Sequence, residues 1–241
     1  MSSTICVLYI ALFTVAGAAD PDALYRDRDN LASARQAAGI WAARLEKDPR
    51  DFEAAWKLAR AQYWLGGHGT QAERRKDLQR GVEAGRQAAT INPARPEGHF
   101  WMAANMGTLA ESFGLRQGLR YRGPIRDSLE TVLKINPAFQ NGSADRALGR
   151  WYLKVPALFG GSKRKSEEHL RKSLTYNPDN TISHFFLAET LFELDRDAEA
   201  GKELEKVLAV PIDPEWAPED REYKRRAEAI LTRMRREGRV K

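Results

Sequence analysis

An acidic or amide residue followed by proline recurs at near-even spacing along this chain, and no other feature limits the possible folds as strongly. Asp48-Pro49, Asn92-Pro93, Asn136-Pro137 and Asn177-Pro178 lie 44, 44 and 41 residues apart, and Pro211 follows 33 residues later. Proline pushes the residue before it out of helical backbone and has no N–H to donate, so each pair stops one helix and precedes the next. Between the stops, apolar residues return every three or four positions, as in Leu31, Ala34, Ala38, Trp41 and Leu45, the spacing of one helix face. No clear run of alternating β-branched residues occurs. A repeat of this length indicates stacked helical hairpins, so the expected fold is an all-α solenoid.

Two amphipathic helices fit within each interval. The first carries a large residue beside a small one in a shared column: Leu58-Ala59, Met102-Ala103, Leu148-Gly149 and Leu187-Ala188. The small residue lets the partner helix approach. The chain thus resembles the tetratricopeptide repeat family, whose hairpins of about 34 residues stack into a superhelix. The best match is Leu187 to Pro211, where Ala200, Leu204 and Val207 fall at consensus spacing. Repeats are expected over about 22–49, 51–93, 95–137, 143–178 and 180–211, within one domain spanning 20–241. A last helix over about 218–237, with Tyr223, Ala227, Ile230, Leu231 and Met234 on one face, would cap the open end.

From Ile5 to Ala18 no charge occurs, and small residues end the run before Asp20. The stretch is too short to span a bilayer and reads as a secretory signal over residues 1–19. The expected location is therefore outside the cytoplasm, in a periplasm; an uncleaved segment would anchor the chain as a membrane-associated lipid-binding or tethering module. Cys6, the single cysteine, lies inside that run, so no disulfide framework is available.

Chemistry-bearing motifs are lacking. The four histidines show no HExxH spacing, and His99 and His184 share a repeat column that assigns them to structure. GxxxxGK[ST] and GxSxG are absent, and Gly67 to Ala72 fits GxGxxA only where a helix, not a strand, precedes it. No catalytic residue, metal site or cofactor is expected. A net charge of +6 in 241 residues is too mild for a dedicated nucleic-acid binder. A binding scaffold remains.

Two surfaces are candidates. Two intervals exceed the usual repeat by about ten residues, and the third by fewer. Alignment on the small columns puts the excess in the turns within the hairpins: Gly66 to Lys76, Phe113 to Gly123 and Pro156 to Lys165. These elbows should line one edge. They carry Arg74, Arg75, Lys76, Arg116, Arg120, Arg122, Lys163, Arg164 and Lys165 against a single acid, Glu73, which leaves the rest of the chain net negative. The second surface is the concave wall, expected to present Trp56, Arg60, Tyr63, Phe100, Arg146, Arg150, Phe185, Glu189 and Phe192 to an extended peptide or an elongated anionic ligand. Trp101 and Trp151 are expected in the core.

The stretch WYLKVPALFGGSKRKSEEHLRKSLTYNP, Trp151 to Pro178, with its proline, Gly-Gly turn, basic residues and His169, resembles the TatT-like repeat proteins found with some tripartite ATP-independent periplasmic transporters. GHFWMAANMG, Gly98 to Gly107, resembles the regulator-of-microtubule-dynamics family, with its His-x-Trp helix. The TatT resemblance implies a non-catalytic accessory that docks a transporter's solute-binding protein or holds a hydrophobic ligand. This chain lacks that family's lipid-attachment cysteine at the cleavage site.

Overall fold

The computed structural model describes residues 19–239; the secretory signal expected over 1–19 falls almost wholly outside the described residues. Eleven α-helices follow one another, with no strand among the described residues: α1 (Pro21–Arg26), α2 (Leu31–Lys47), α3 (Phe52–His68), α4 (Gln71–Ile91), α5 (Pro96–Ser112), α6 (Leu115–Ile135), α7 (Ser143–Lys154), α8 (Lys163–Tyr176), α9 (Thr181–Phe192), α10 (Asp197–Ala209) and α11 (Ala217–Arg236). Consecutive helices pack as antiparallel hairpins, and α3, α5, α7 and α9 pack in turn against each other along the inner wall.

The Asx-Pro stops work as backbone chemistry requires. Asp48, Asn92, Asn136 and Asn177 are the C-caps of α2, α4, α6 and α8, all with φ between −131° and −153° and ψ between 86° and 99°. Three of the four side chains then accept the amide two residues on, Arg50, Ala138 and Asp179, at 2.9–3.1 Å. Such an Asx turn satisfies the backbone that proline disrupts. His99 Nε2 reaches the Pro93 carbonyl at 3.1 Å, and His184 Nε2 reaches that of Pro178 at 2.7 Å. The shared column thus ties the first helix of a repeat to the stop before it.

Helix contact depends on the small column. Ala59, Ala103 and Ala188 are at most 2% exposed. At Gly98 a Cβ would lie 2.4 Å from the Ala89 nitrogen, so only glycine lets α5 meet the backbone of α4 this closely.

The elbows differ from the sequence expectation. The extra residues of the first two lengthen the helices rather than the turns: α3 ends at His68 and α4 begins at Gln71, while α5 ends at Ser112 and α6 begins at Leu115. At the first elbow Thr70 and Glu73 form a reciprocal capping box, which starts the helix immediately. At the second, Pro124 lies inside α6 without ending it. Only the third elbow is a loop, with a 3₁₀ turn at Ala157–Phe159, Gly160 at φ 101° and the Ser162 cap.

The last helix also does more than cap. Ala227, Leu231 and Met234 are buried in a cluster with α9 and α10. The N-terminal half of α11 crosses the concave wall and meets the first residues of the fold. Arg28, 3% exposed, donates to both carboxylate oxygens of Glu219 at 3.1 and 2.5 Å and to the Glu215 carbonyl at 2.8 Å. Arg221 pairs with Asp29, and His68 with Glu222. α11 is a strap that joins the two ends of the solenoid.

Candidate functional site

Beneath the strap the concave wall forms a partly open chamber of about 760 Å³. Ligand pockets commonly occupy roughly 300–1,000 Å³. Its walls come from the inner helices: Tyr63 of α3, Phe100 and Trp101 of α5, Arg146 of α7 and Phe186 of α9, with Ile125 and Leu129 of α6 beside them. Tyr223 and Trp216 close it from the strap side. At the other end it reaches all three elbows through Gly67, Gly118, Arg122 and Pro156.

Of the nine residues expected on the concave wall, Tyr63, Phe100, Arg146 and Arg150 line the chamber. Trp56 and Arg60 lie elsewhere, at the α1 end: the Arg60 guanidinium sits 4.1 Å from the Tyr25 ring and 5.0 Å from that of Trp56, with Asp22 at 3.6 Å. Burial there pushes the Tyr25 phenol up to about 12. Phe185 is 1% exposed, packed on Tyr223, so its neighbour Phe186 reaches the chamber instead. Glu189 is held by Arg150, and Phe192 packs under Arg239. Trp101 and Trp151 are buried as expected, yet both border the chamber. Tyr223, Trp216 and Phe186 were not expected there; no local pattern in the sequence marks where α11 returns.

Arg150 and Arg146, one helical turn apart on α7, have different surroundings. Arg150 forks onto Glu111 at 2.7 and 2.6 Å and donates to Glu189 at 2.8 Å, so it bridges α5, α7 and α9. Burial opposes its charge, but these carboxylates outweigh burial and raise its pKa. Arg146 is 8% exposed, and the one hydrogen bond its side chain makes among the described residues is to Asn180 Oδ1 at 3.5 Å. Burial lowers its pKa.

The basic elbows adjoin one another. The Arg75 guanidinium lies 4.1 Å from the Phe113 ring of the second elbow, and Arg122 lies 5.2 Å from Phe159 of the third. Lys163 pairs with Glu193 at 3.1 Å, Arg164 with Glu168 at 3.7 Å, and Lys165 sits 5.4 Å from the Tyr152 ring. Arg74 donates to the Gly67 carbonyl. Lys76, Arg116 and Arg120 are exposed and have no carboxylate within ion-pair distance among the described residues. No cluster of three or more metal-ligating side chains occurs among the described residues. Among the described residues no helix is long and apolar enough to cross a membrane.

The family model for regulator of microtubule dynamics protein 1-3 matches residues 19–235. Among solved structures, a thermophilic TPR protein of Thermus thermophilus superposes with a TM-score of 0.66 at 22% identity, covering 88% of this chain and 97% of that one. A crystal structure of MamA matches with a TM-score of 0.50 at 15% identity, covering 91% and 99%. These two likenesses establish the tetratricopeptide-type fold. No curated protein matches the chain by sequence.

Proposed function

Because the chain belongs to the regulator of microtubule dynamics protein 1-3 family, and because its helical-repeat scaffold closes over a chamber, we propose that it is a non-catalytic binding protein that holds an apolar-bodied small ligand beneath α11. The observation that carries this reading is the chamber itself: about 760 Å³ walled by Phe100, Trp101, Leu129 and Phe186. Apolar walls with a few polar groups are the usual makeup of a small-molecule site.

The elbow flank is the proposed docking face for a protein partner with acidic character, since Lys76, Arg116 and Arg120 are solvent-exposed and unpaired among the described residues. The TatT resemblance of Trp151 to Pro178 supports a transporter's solute-binding protein as that partner, in a compartment outside the cytoplasm.

The chamber is tested by titrating the uncharged apolar fluorophore N-phenyl-1-naphthylamine. Saturable enhancement is expected in the native chain. Gly107 lines the chamber, and a Cβ there would meet nothing within 4 Å, so Gly107→Phe should occupy the space without disturbing the helix seams. Undiminished dye binding in Gly107→Phe would overturn the reading. Native mass spectrometry of purified protein would show any ligand carried through.

A further inference from the structure

The geometry points to a single-chain carboxylic acid as the chamber's ligand, its carboxylate received by Arg146 together with the phenols of Tyr63 and Tyr223. This rests on the reading of the chamber as a ligand site and adds which head group enters it.

Charge pairing within the chamber supports the assignment. Its three wall carboxylates are all engaged: Glu111 by Arg150, Glu219 by Arg28 and Glu222 by His68. Arg146 is over nine-tenths buried and has no carboxylate within 4 Å among the described residues. Its contact at Asn180 is weak, because that oxygen already accepts the Ser183 amide and hydroxyl, each at 2.9 Å, as the N-cap of α9. The charge of the buried acid Asp220 reaches Arg146, but only from beyond ion-pair distance, its carboxylate being turned to the Asp213 amide at 2.9 Å. A desolvated guanidinium with no carboxylate at ion-pair distance is costly, and a ligand carboxylate would supply that direct partner in a fork geometry.

Two phenols add donors. Tyr63 of α3 and Tyr223 of α11 both line the chamber, and neither hydroxyl hydrogen-bonds to another described residue. Burial raises the pKa of each, so both stay protonated and able to donate.

Arg146 is the one buried wall cation without an ion pair among the described residues and matches one negative charge; Arg122 and Lys154, also on the wall, are solvent-accessible. A phosphate monoester carries about −1.5 to −2 at neutral pH and would bring excess charge into a desolvated site. The apolar surface around Phe100, Ile125 and Leu129 suits an alkyl chain.

Displacement of N-phenyl-1-naphthylamine by decanoate, decanol and decyl phosphate tests this in the unmodified chain at pH 7.5. Decanoate should displace the dye at a concentration about tenfold or more below that for decanol, as expected for a charge-assisted bond. It should also act below decyl phosphate. Arg146→Met should bring decanoate and decanol to within about twofold, by loss of that same bond, with decanol unchanged. Tyr63→Phe and Tyr223→Phe should each narrow the gap. Decanol equal to decanoate in the native chain would overturn the head-group assignment while leaving the chamber intact, and that comparison needs no variant to fold. Decyl phosphate equal to or better than decanoate would overturn the choice of carboxylate. Dye that binds Gly107→Phe as well as the native chain, with no displacement by any probe, would remove both readings together.

Discussion

The chamber and the elbow flank both present arginines, and the difference between them lies in water. On the flank, Arg116 and Arg120 are solvated, so leaving them unpaired costs almost nothing and pairing them gains little. Beneath α11 the guanidiniums of Arg28, Arg146 and Arg150 are largely desolvated, and each must be matched by a fixed partner or bear the cost. One residue type thus gives a broad, salt-sensitive attraction on one surface and geometrically defined recognition on the other.

The strongest way to break that contrast is at the strap. Arg28 joins residues 191 positions apart, and Arg28→Met leaves Glu219 with no partner in a mostly buried site. The expected loss is about 3–5 kcal/mol of unfolding free energy in chemical denaturation. Adding Glu219→Gln should recover much of it, since the orphaned charge is then gone. If Arg28→Met cost no more than a typical surface substitution, the strap would not be a tightly held element.

A smaller effect separates packed seam from open chamber within one helix. Gly98 of α5 faces α4 backbone, while Gly107, nine residues on, faces the chamber. Gly98→Ala should destabilise by about 1–3 kcal/mol through overpacking. Gly107→Ala should stabilise by about 0.5–1 kcal/mol, because it gains helix propensity and meets no neighbour. Thermal melts of the pair read both signs, and a destabilised Gly107→Ala would mean that the chamber wall is tighter than its geometry indicates.

Much of this fold is legible in the residues themselves, because its rules are local. Asp48, Asn92, Asn136 and Asn177 end helices through proline's effect on the preceding backbone, and Ala59, Ala103 and Ala188 mark where helices touch. The elbows depart from expectation for a local reason too. Thr70 and Glu73 stand at capping-box spacing, which begins a helix where the repeat alignment places a turn, and Pro124 lies within α6 where it suggests a break. The site is less legible because it is assembled at long range. Tyr63, Phe100, Arg146 and Arg150 follow from the repeat columns, but nothing near Tyr223 or Glu219 records that α11 doubles back to Arg28. Arg146 and Arg150 are equivalent by spacing; only the positions of Glu111 and Glu189 on neighbouring helices distinguish them.

At the rim, where chamber meets solvent, the contrast should become a pH effect. His68 stacks on Trp64 with ring centroids 3.6 Å apart and reaches Glu222 of the strap at 3.2 Å. Burial opposes its charge, yet hydrogen bonds to Glu222 and the Trp64 carbonyl outweigh that and hold its pKa above the usual imidazole value. The His68 hydrogen bond in turn lowers the pKa of Glu222. A raised histidine stabilises fully below its unfolded value of about 6.5 and loses the contribution as pH rises through the folded value. A lowered glutamate stabilises above its unfolded value of about 4.3 and loses the contribution as pH falls through the folded one. The stability difference between native chain and His68→Gln should therefore peak near pH 5–6, at under about 1 kcal/mol for so exposed a pair, and fade in alkaline solution.

The flank should give the smallest change in stability and a distinct change in binding. Reversing Lys76, Arg116 and Arg120 to glutamate touches no ion pair among the described residues, so unfolding free energy should move by no more than about 0.5 kcal/mol per site. Helical circular dichroism and N-phenyl-1-naphthylamine binding should be unchanged, since none of the three lines the chamber. Capture of an acidic protein partner should fall, and capture by the native chain should weaken as salt rises, because solvated charges attract through a screened field. Partner capture that survives the triple reversal would move docking off the flank and leave the chamber as the molecule's one binding surface.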